Sequence, residues 1–181
     1  NKSKNLIYKN NVDEAIELIE SISFDRIYFE LNSERHYLLC KSYYRKGFEF
    51  YSRSLDIAYD IIENFADKIN IVLLNETYHI LGNIYSDTGD YTSACRCYEQ
   101  TLINNDQFIG NLKSYANLTD YYSLVGDYEK AYTFLQKATN IYKTFPITNF
   151  EKYFYRSSLK FYSNISNYKE AIIMNKILIN D

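Results

Sequence analysis

The sequence predicts an all-α solenoid of about four to five helix–turn–helix pairs, and three observations predict it. A segment closed by Gly-Asp-Tyr recurs along the chain. Within its copies, large residues fall at i, i+3 and i+7, the spacing of one helix face. Breakers are scarce, with 5 Gly and 1 Pro in 181 residues, which excludes a turn-rich, many-stranded fold.

The elements follow from the amino end. Residues 1–11 read as the tail of a first helix whose body lies upstream. The chain opens on Asn1 rather than Met and is expected to be a fragment. Asn10-Asn11-Val12-Asp13-Glu14-Ala15 is a remnant turn that leads into a second helix near 12–22. The next copy carries Cys40, Tyr43, Gly47 and Ser52, with helices near 33–46 and 49–65. The strongest copies are Tyr78-His79-Ile80-Leu81-Gly82-Asn83-Ile84-Tyr85-Ser86-Asp87-Thr88-Gly89-Asp90-Tyr91 and Tyr115-Ala116-Asn117-Leu118-Thr119-Asp120-Tyr121-Tyr122-Ser123-Leu124-Val125-Gly126-Asp127-Tyr128. They predict helices near 70–87, 91–104, 110–124 and 128–143. The last copy closes on Ser166-Asn167-Tyr168, between helices near 150–164 and 168–179.

A small residue follows each turn at 15, 52, 94, 131 and 171, with spacings of 37, 42, 37 and 40. Close helix crossings need such residues, so Gly82 is expected to face Ala94, and Ala131 to sit with Ala138. Gly47, Gly89 and Gly126 supply the positive φ of the turns. Asp90 and Asp127 are placed to cap the second helices. Tyr78, Leu81 and Tyr85 fill the groove between helices, and Tyr91, Tyr128 and Tyr168 are expected to plug the seams between repeats. Pro146 is expected in a loop between repeats, where a missing N–H costs least.

Composition narrows the function. The chain is 46% hydrophobic and 24% charged, with 21 Tyr and 11 Phe, which is globular rather than disordered. Abundant Tyr, Asn, Ile and Lys are also what an AT-rich coding sequence yields. A net charge of -3 without a basic stripe argues against a general nucleic-acid surface. No apolar run of about 18 residues spans a membrane, and no signal peptide is present. Three cysteines, Cys40, Cys95 and Cys97, read as reduced thiols of a cytoplasmic protein. Gly-rich phosphate loops, nucleophile elbows and HExxH are absent. Two histidines, His36 and His79, leave little material for a triad or a metal site. Cys95 and Cys97 point about 200° apart on a helix and do not share a metal. The sequons opened by Asn75, Asn117 and Asn164 lie in predicted helices and are discounted as glycosylation sites. The chain reads as a binding module, with no enzyme activity and no cofactor.

The repeat resembles the tetratricopeptide repeat, a helix–turn–helix unit of about 34 residues in standard form. The resemblance is strong over residues 76–140, fair over 33–62 and 150–181, and weak over 1–24. It implies a right-handed superhelical array with repeats about 1–24, 33–65, 70–104, 110–143 and 150–181, forming one domain across 1–181. It also implies that the first helices line a concave groove. The stripe facing that groove holds Glu34, Tyr37, Lys41, Tyr44 and Arg45, then Glu76, His79, Asn83, Ser86 and Asp87, then Lys113, Ala116, Asp120, Ser123 and Leu124, and finally Tyr153, Arg156, Lys160 and Ser163. Peptide binding is assigned to Tyr37, Lys41, Tyr44, His79, Asn83, Asp87, Lys113, Asp120, Arg156 and Lys160. Asn suits this task, because one amide both donates to and accepts from a peptide backbone. Taken singly, each of these residues is also an ordinary solvated helix-face residue.

Two families of tetratricopeptide readers frame the ligand. In the carboxylate clamp of chaperone adaptors, two Asn positions are matched by Asn83 and Asn117. His79, Tyr153 and Ser157 stand where that clamp has cations. The chain is also similar to the Gram-positive intracellular peptide-pheromone receptors in period, composition and divergent outer repeats. That resemblance implies a peptide-sensing domain of a quorum-sensing transcriptional regulator, reaching DNA only through an upstream helix-turn-helix domain. The alternatives are a protein–protein scaffold, or a Rap-type partner of a response regulator. Ile172, Ile173, Met174, Ile177, Leu178 and Ile179 spread wider than one buried stripe, so a homodimer contact or a covering segment is expected at the C-terminal helix.

Overall fold

The computed structural model describes residues 2–8, 11–21, 29–67, 69–102, 111–145 and 148–180. Among them lie ten α-helices and one 3-10 turn. Two compact units divide the chain, Asn1–Ala94 and Cys95–Asp181.

The first unit holds α1 (Lys2–Tyr8), α2 (Val12–Glu20), α3 (Phe29–Lys46), α4 (Tyr51–Phe65), α5 (Ile71–Asp87) and the start of α6 (Tyr91–Leu102). The second holds the rest of α6, then α7 (Asn111–Leu124), α8 (Tyr128–Thr144), α9 (Thr148–Asn164) and α10 (Tyr168–Asn180). Each predicted helix is found, with ends shifted by a few residues. First helices α3 and α5 pack side by side, as do α7 and α9, while α4, α8 and α10 pack on the first helix of their own pair.

Small residues make these contacts close. Ala15, Ala58, Ala131 and Ala138 are fully buried, and Ala94 is 2% exposed. Around Ala131 and Ala138 a core of Leu112, Tyr115, Leu135, Phe154 and Phe161 fills the second unit. Ile16, Ile19, Leu39 and Tyr43 do the same between α2 and α3.

The turns repeat one geometry. Gly89 and Gly126 take φ of 86° and 82°, and Ser166 takes 59° at the equivalent place. The Asp90 N–H reaches back to the Tyr85 carbonyl at 2.8 Å, and the Asn167 N–H to that of Tyr162 at 2.8 Å. These six-to-one bonds satisfy carbonyls that the helix end leaves open. Asp90 Oδ1 then accepts from Ser93 N at 3.1 Å, and Asp127 Oδ1 from Lys130 N at 3.2 Å.

Two expectations are corrected. The small crossing residue of the second copy is Ser54, fully buried, rather than the exposed Ser52. After Gly47 the chain makes a 3-10 turn over Phe48–Phe50, so α4 starts only at Tyr51 and its register slips by two residues. Ser54 Oγ donates to the Cys40 carbonyl at 2.9 Å across that crossing. Tyr91, Tyr128 and Tyr168 do not plug seams, because they are 44%, 41% and 65% exposed at the first position of their helices. In the second unit the filling comes from stacked rings instead, Tyr122 on Phe134 at 5.5 Å and Tyr142 on Phe154 at 5.0 Å. Pro146 lies outside the described residues.

Candidate functional site

In the first unit the stripe runs along α3 and α5. Helical spacing carries Tyr37, Lys41 and Tyr44 along one side of α3, and His79, Asn83 and Asp87 along one side of α5. The structure separates them by burial. Tyr37 and His79 are 5% and 4% exposed, so they form the floor. Lys41, Tyr44 and Asn83 are half-buried, and Asp87 is exposed. Lys41 Nζ donates to the Tyr37 hydroxyl at 3.1 Å and lies 5.5 Å from its ring centre. Tyr44 stacks on Tyr51 at 5.7 Å, and the Tyr51 hydroxyl donates to Asp87 Oδ2 at 2.6 Å. Burial first, and then the Asp87 carboxylate, push the Tyr51 phenol well above its usual range. Tyr51 therefore joins the carboxyl ends of α3 and α5. The sequence reading missed it because the residue belongs to a second helix.

A cleft of about 620 Å³ opens beside this stripe, lined by Lys4, Ser33, Glu34, Ile69, Asn70, Val72 and Leu73. An ion pair between Lys4 and Glu34 crosses it from α1 to α3. Val72 is 42% exposed at its edge, and Asn70 Oδ1 caps α5 by accepting from Val72 N at 2.8 Å. Apart from Glu34, none of these residues belongs to the predicted stripe. Their signal was the largely apolar run Ile69–Leu74, which begins before the helix does.

In the second unit the stripe runs along α7 and α9. Ser157, 2% exposed, donates to the Ala116 carbonyl at 2.6 Å, and its hydroxyl stands 2.6 Å from Asp120 Oδ1. Lys160 Nζ meets the other oxygen, Asp120 Oδ2, at 2.5 Å. Lys113 Nζ lies 5.8 Å from the ring centre of Tyr153. Arg156 is exposed on the same side of α9. The structure thus joins Asp120 to Ser157 and Lys160 and separately sets Lys113 beside Tyr153, with Arg156 between Tyr153 and Ser157 in sequence. Ser157 is one buried residue that ties the two helices.

Among the described residues, no group of three His, Cys, Asp or Glu side chains comes together to hold a metal ion. No described helix is long and apolar enough to cross a membrane. Cys40, Cys95 and Cys97 are free thiols. Burial pushes Cys40 up to about 12, with the Ser54 hydrogen bond opposing it. Cys95 is pushed up to about 11 by burial and by Glu99. Thiols held so strongly protonated are poor nucleophiles at neutral pH.

Comparison with known proteins agrees with this fold. Residues 73–144 match the sequence model of a family described as tetratricopeptide repeat. No curated protein matches the sequence. Among solved structures, the chain is similar to the TPR-like repeats of a putative kinesin light chain from Podosopora anserina, with 15% identity, a TM-score of 0.68, and 98% of this chain and 90% of that one covered. A single-substitution variant of those repeats gives a TM-score of 0.69 at 15% identity and the same coverage. BtubC (BKLC) from P. vanneervenii gives 0.60 at 17% identity, over 97% of this chain and 72% of that one. Residues 73–144 therefore carry the tetratricopeptide signature, and the fold of the chain is that of tetratricopeptide-like helical repeats.

Proposed function

We propose that the chain is a protein-interaction module whose first-helix faces hold an extended peptide, and that it serves as the sensory domain of a bacterial transcriptional regulator. The observation that carries the peptide reading is the cleft of about 620 Å³ beside α1, α3 and α5, with an apolar edge and the polar groups Asn70, Ser33 and Glu34. A concave site with apolar walls and a few placed polar groups is the usual form of a ligand site. Asn83 lies half-buried on the neighbouring stripe, where Lys41, Tyr44 and Asp87 add charge and hydroxyl groups. The regulator reading rests on the resemblance in period and composition to the peptide-pheromone receptors. In it, peptide binding biases one of two arrangements of the helices and thereby DNA affinity in the full-length protein.

The test is a displayed peptide library panned against the chain, followed by calorimetry on the selected peptide. Asn83→Ala should weaken binding by about 1–3 kcal/mol with little loss of stability. An unchanged affinity in Asn83→Ala and in a Val72→Glu variant moves the site elsewhere. A full-length protein whose DNA affinity ignores the selected peptide ends the regulator part.

A second reading has its own observation. Ile172 and Ile173 on α10 are 55% and 42% exposed, and Tyr168 is 65% exposed. An apolar face of this kind marks a contact, here with a second copy of the chain or a scaffold partner.

A further inference from the structure

We infer that the turn edge of the second unit pairs two copies of this chain about a two-fold axis, with the start of α8 in one copy seated on the start of α10 in the other. This deepens the reading of the α10 face as a contact and rests on it.

Equivalent positions of the two turns lie 40 residues apart, as Gly126 and Ser166 do. On that count Val125, Tyr128 and Tyr132 correspond to Ile165, Tyr168 and Ile172. All are exposed, by 55%, 41% and 48% in the first stripe and by 39%, 65% and 55% in the second. Within each stripe the residues follow at three and four, so they line one side of the turn and of the helix that it opens. The stripes belong to one face, because α7 and α9 pack side by side and the Tyr132 ring stacks on Phe161 of α9 at 5.9 Å.

An exposed apolar face of this size marks a contact. From ordinary side-chain areas, the two stripes expose roughly 600 Å². Two such faces together bury about 1,200 Å², where specific interfaces begin, before any rim is added.

Charge selects the occupant. Asp127 and Lys130 pair with each other at 3.3 Å. Glu170 is half-buried and lies toward Tyr162, whose phenol is raised first by burial and then by this carboxylate. Glu129 and Lys169 are then the exposed charges beside Tyr128 and Tyr168, at equivalent positions and of opposite sign. Neither makes an ion pair among the described residues. A two-fold axis that runs between the stripes and parallel to them lays each stripe on the other stripe of the second copy, at the same level. Glu129 then meets the partner's Lys169, and Lys169 meets the partner's Glu129, so the surface is complementary to itself.

The test is sedimentation equilibrium of the 181-residue chain. The wild type should form a dimer and nothing larger, because an isologous face closes at two copies. Glu129→Lys and Lys169→Glu should each raise the dimer dissociation constant about tenfold or more, since either change sets like charges together twice, and the losses should shrink as salt rises. Combined in one chain, the two substitutions restore opposite charges and should bring the constant back to within about threefold of the wild type. Glu49→Lys, an exposed charge reversal in the first unit, should leave it unchanged. Ile165→Glu with Ile172→Glu should leave only monomer.

A wild-type dimer that neither single reversal weakens overturns this pairing and leaves the α10 contact standing. A combined variant as weak as the single ones, or assemblies larger than two, overturns it as well. A wild type that stays monomeric at every concentration overturns the pairing together with the second-copy reading. Circular dichroism of the variants, all at exposed positions, separates loss of pairing from loss of fold.

Discussion

Gly89 and Gly126 take the left-handed backbone, and a Cβ built on either meets nothing within 4 Å. Any penalty for a side chain there is therefore conformational rather than steric. Gly89→Val and Gly126→Val should each cost about 1 kcal/mol or more, seen as a lower melting temperature, because a β-branched residue tolerates positive φ badly. Ser166 stands at the same turn position with φ 59° and carries the strain that glycine avoids. Ser166→Gly should thus raise stability, by about 0.5–1 kcal/mol. A fall in both directions would show that these turns are not equivalent. The buried thiol of Cys40 makes a second residue-scale prediction. Its folded value is raised to about 12, so the native state keeps a proton that the unfolded chain releases. Stability is complete below the ordinary thiol range and falls as pH rises from about 9 towards 12, by at most about 1.4 kcal/mol per pH unit. Urea midpoints between pH 8.5 and 10.5 should fall less steeply in Cys40→Ala than in the wild type. Parallel slopes would remove Cys40 as the cause.

At the scale of the element, the helix pair is set by what sits at its crossing. Ala131 is fully buried and Ala94 is 2% exposed, so leucine at either should overpack its site and cost about 1–3 kcal/mol. The same reasoning tests the slipped register of α4. Ser54→Leu should destabilise by a similar amount, whereas Ser52→Leu, on the exposed side, should stay within about 0.5 kcal/mol. The reverse result, read from chemical denaturation, would restore the unslipped alignment and remove the structural role of the 3-10 turn. The alignment from Gly47 failed here for a definite reason. Counting from a turn glycine assumes that the helix starts at once, and Phe48–Phe50 uses three residues before α4 begins. The tyrosines opening α6, α8 and α10 failed differently. Each is the first residue of its helix and remains exposed, and aromatic character alone does not bury a side chain.

At the scale of the whole molecule, the apolar face of α10 carries the prediction with the widest consequence. Ile172→Glu together with Ile173→Glu should leave thermal stability nearly unchanged, because both residues are exposed at 55% and 42%. If the face is a contact, light scattering should show concentration-dependent association for the wild type and none for the double variant. A wild type that stays monomeric at every concentration ends that reading. The order of the helices and their approximate extents were legible in the sequence because they rest on local physics: a 3.6-residue period, a glycine that tolerates positive φ, and an aspartate that caps the next helix. The stripe on the first helices was legible as a list of residues but not as a surface. Spacing places Tyr37 and His79 beside Lys41 and Asn83, yet only packing decides that the first two are floor and the others reach solvent. The α7/α9 network was beyond the sequence for the same reason. Ser157 is one serine among many until α9 lies against α7, and only then do its hydroxyl and Asp120 meet at 2.6 Å, leaving Arg156 outside. Local periodicity determines which face of a helix looks inward. The contacts between helices, which depend on the shapes of side chains far apart in the chain, determine how deep that face lies and which of its charges are left to meet a partner.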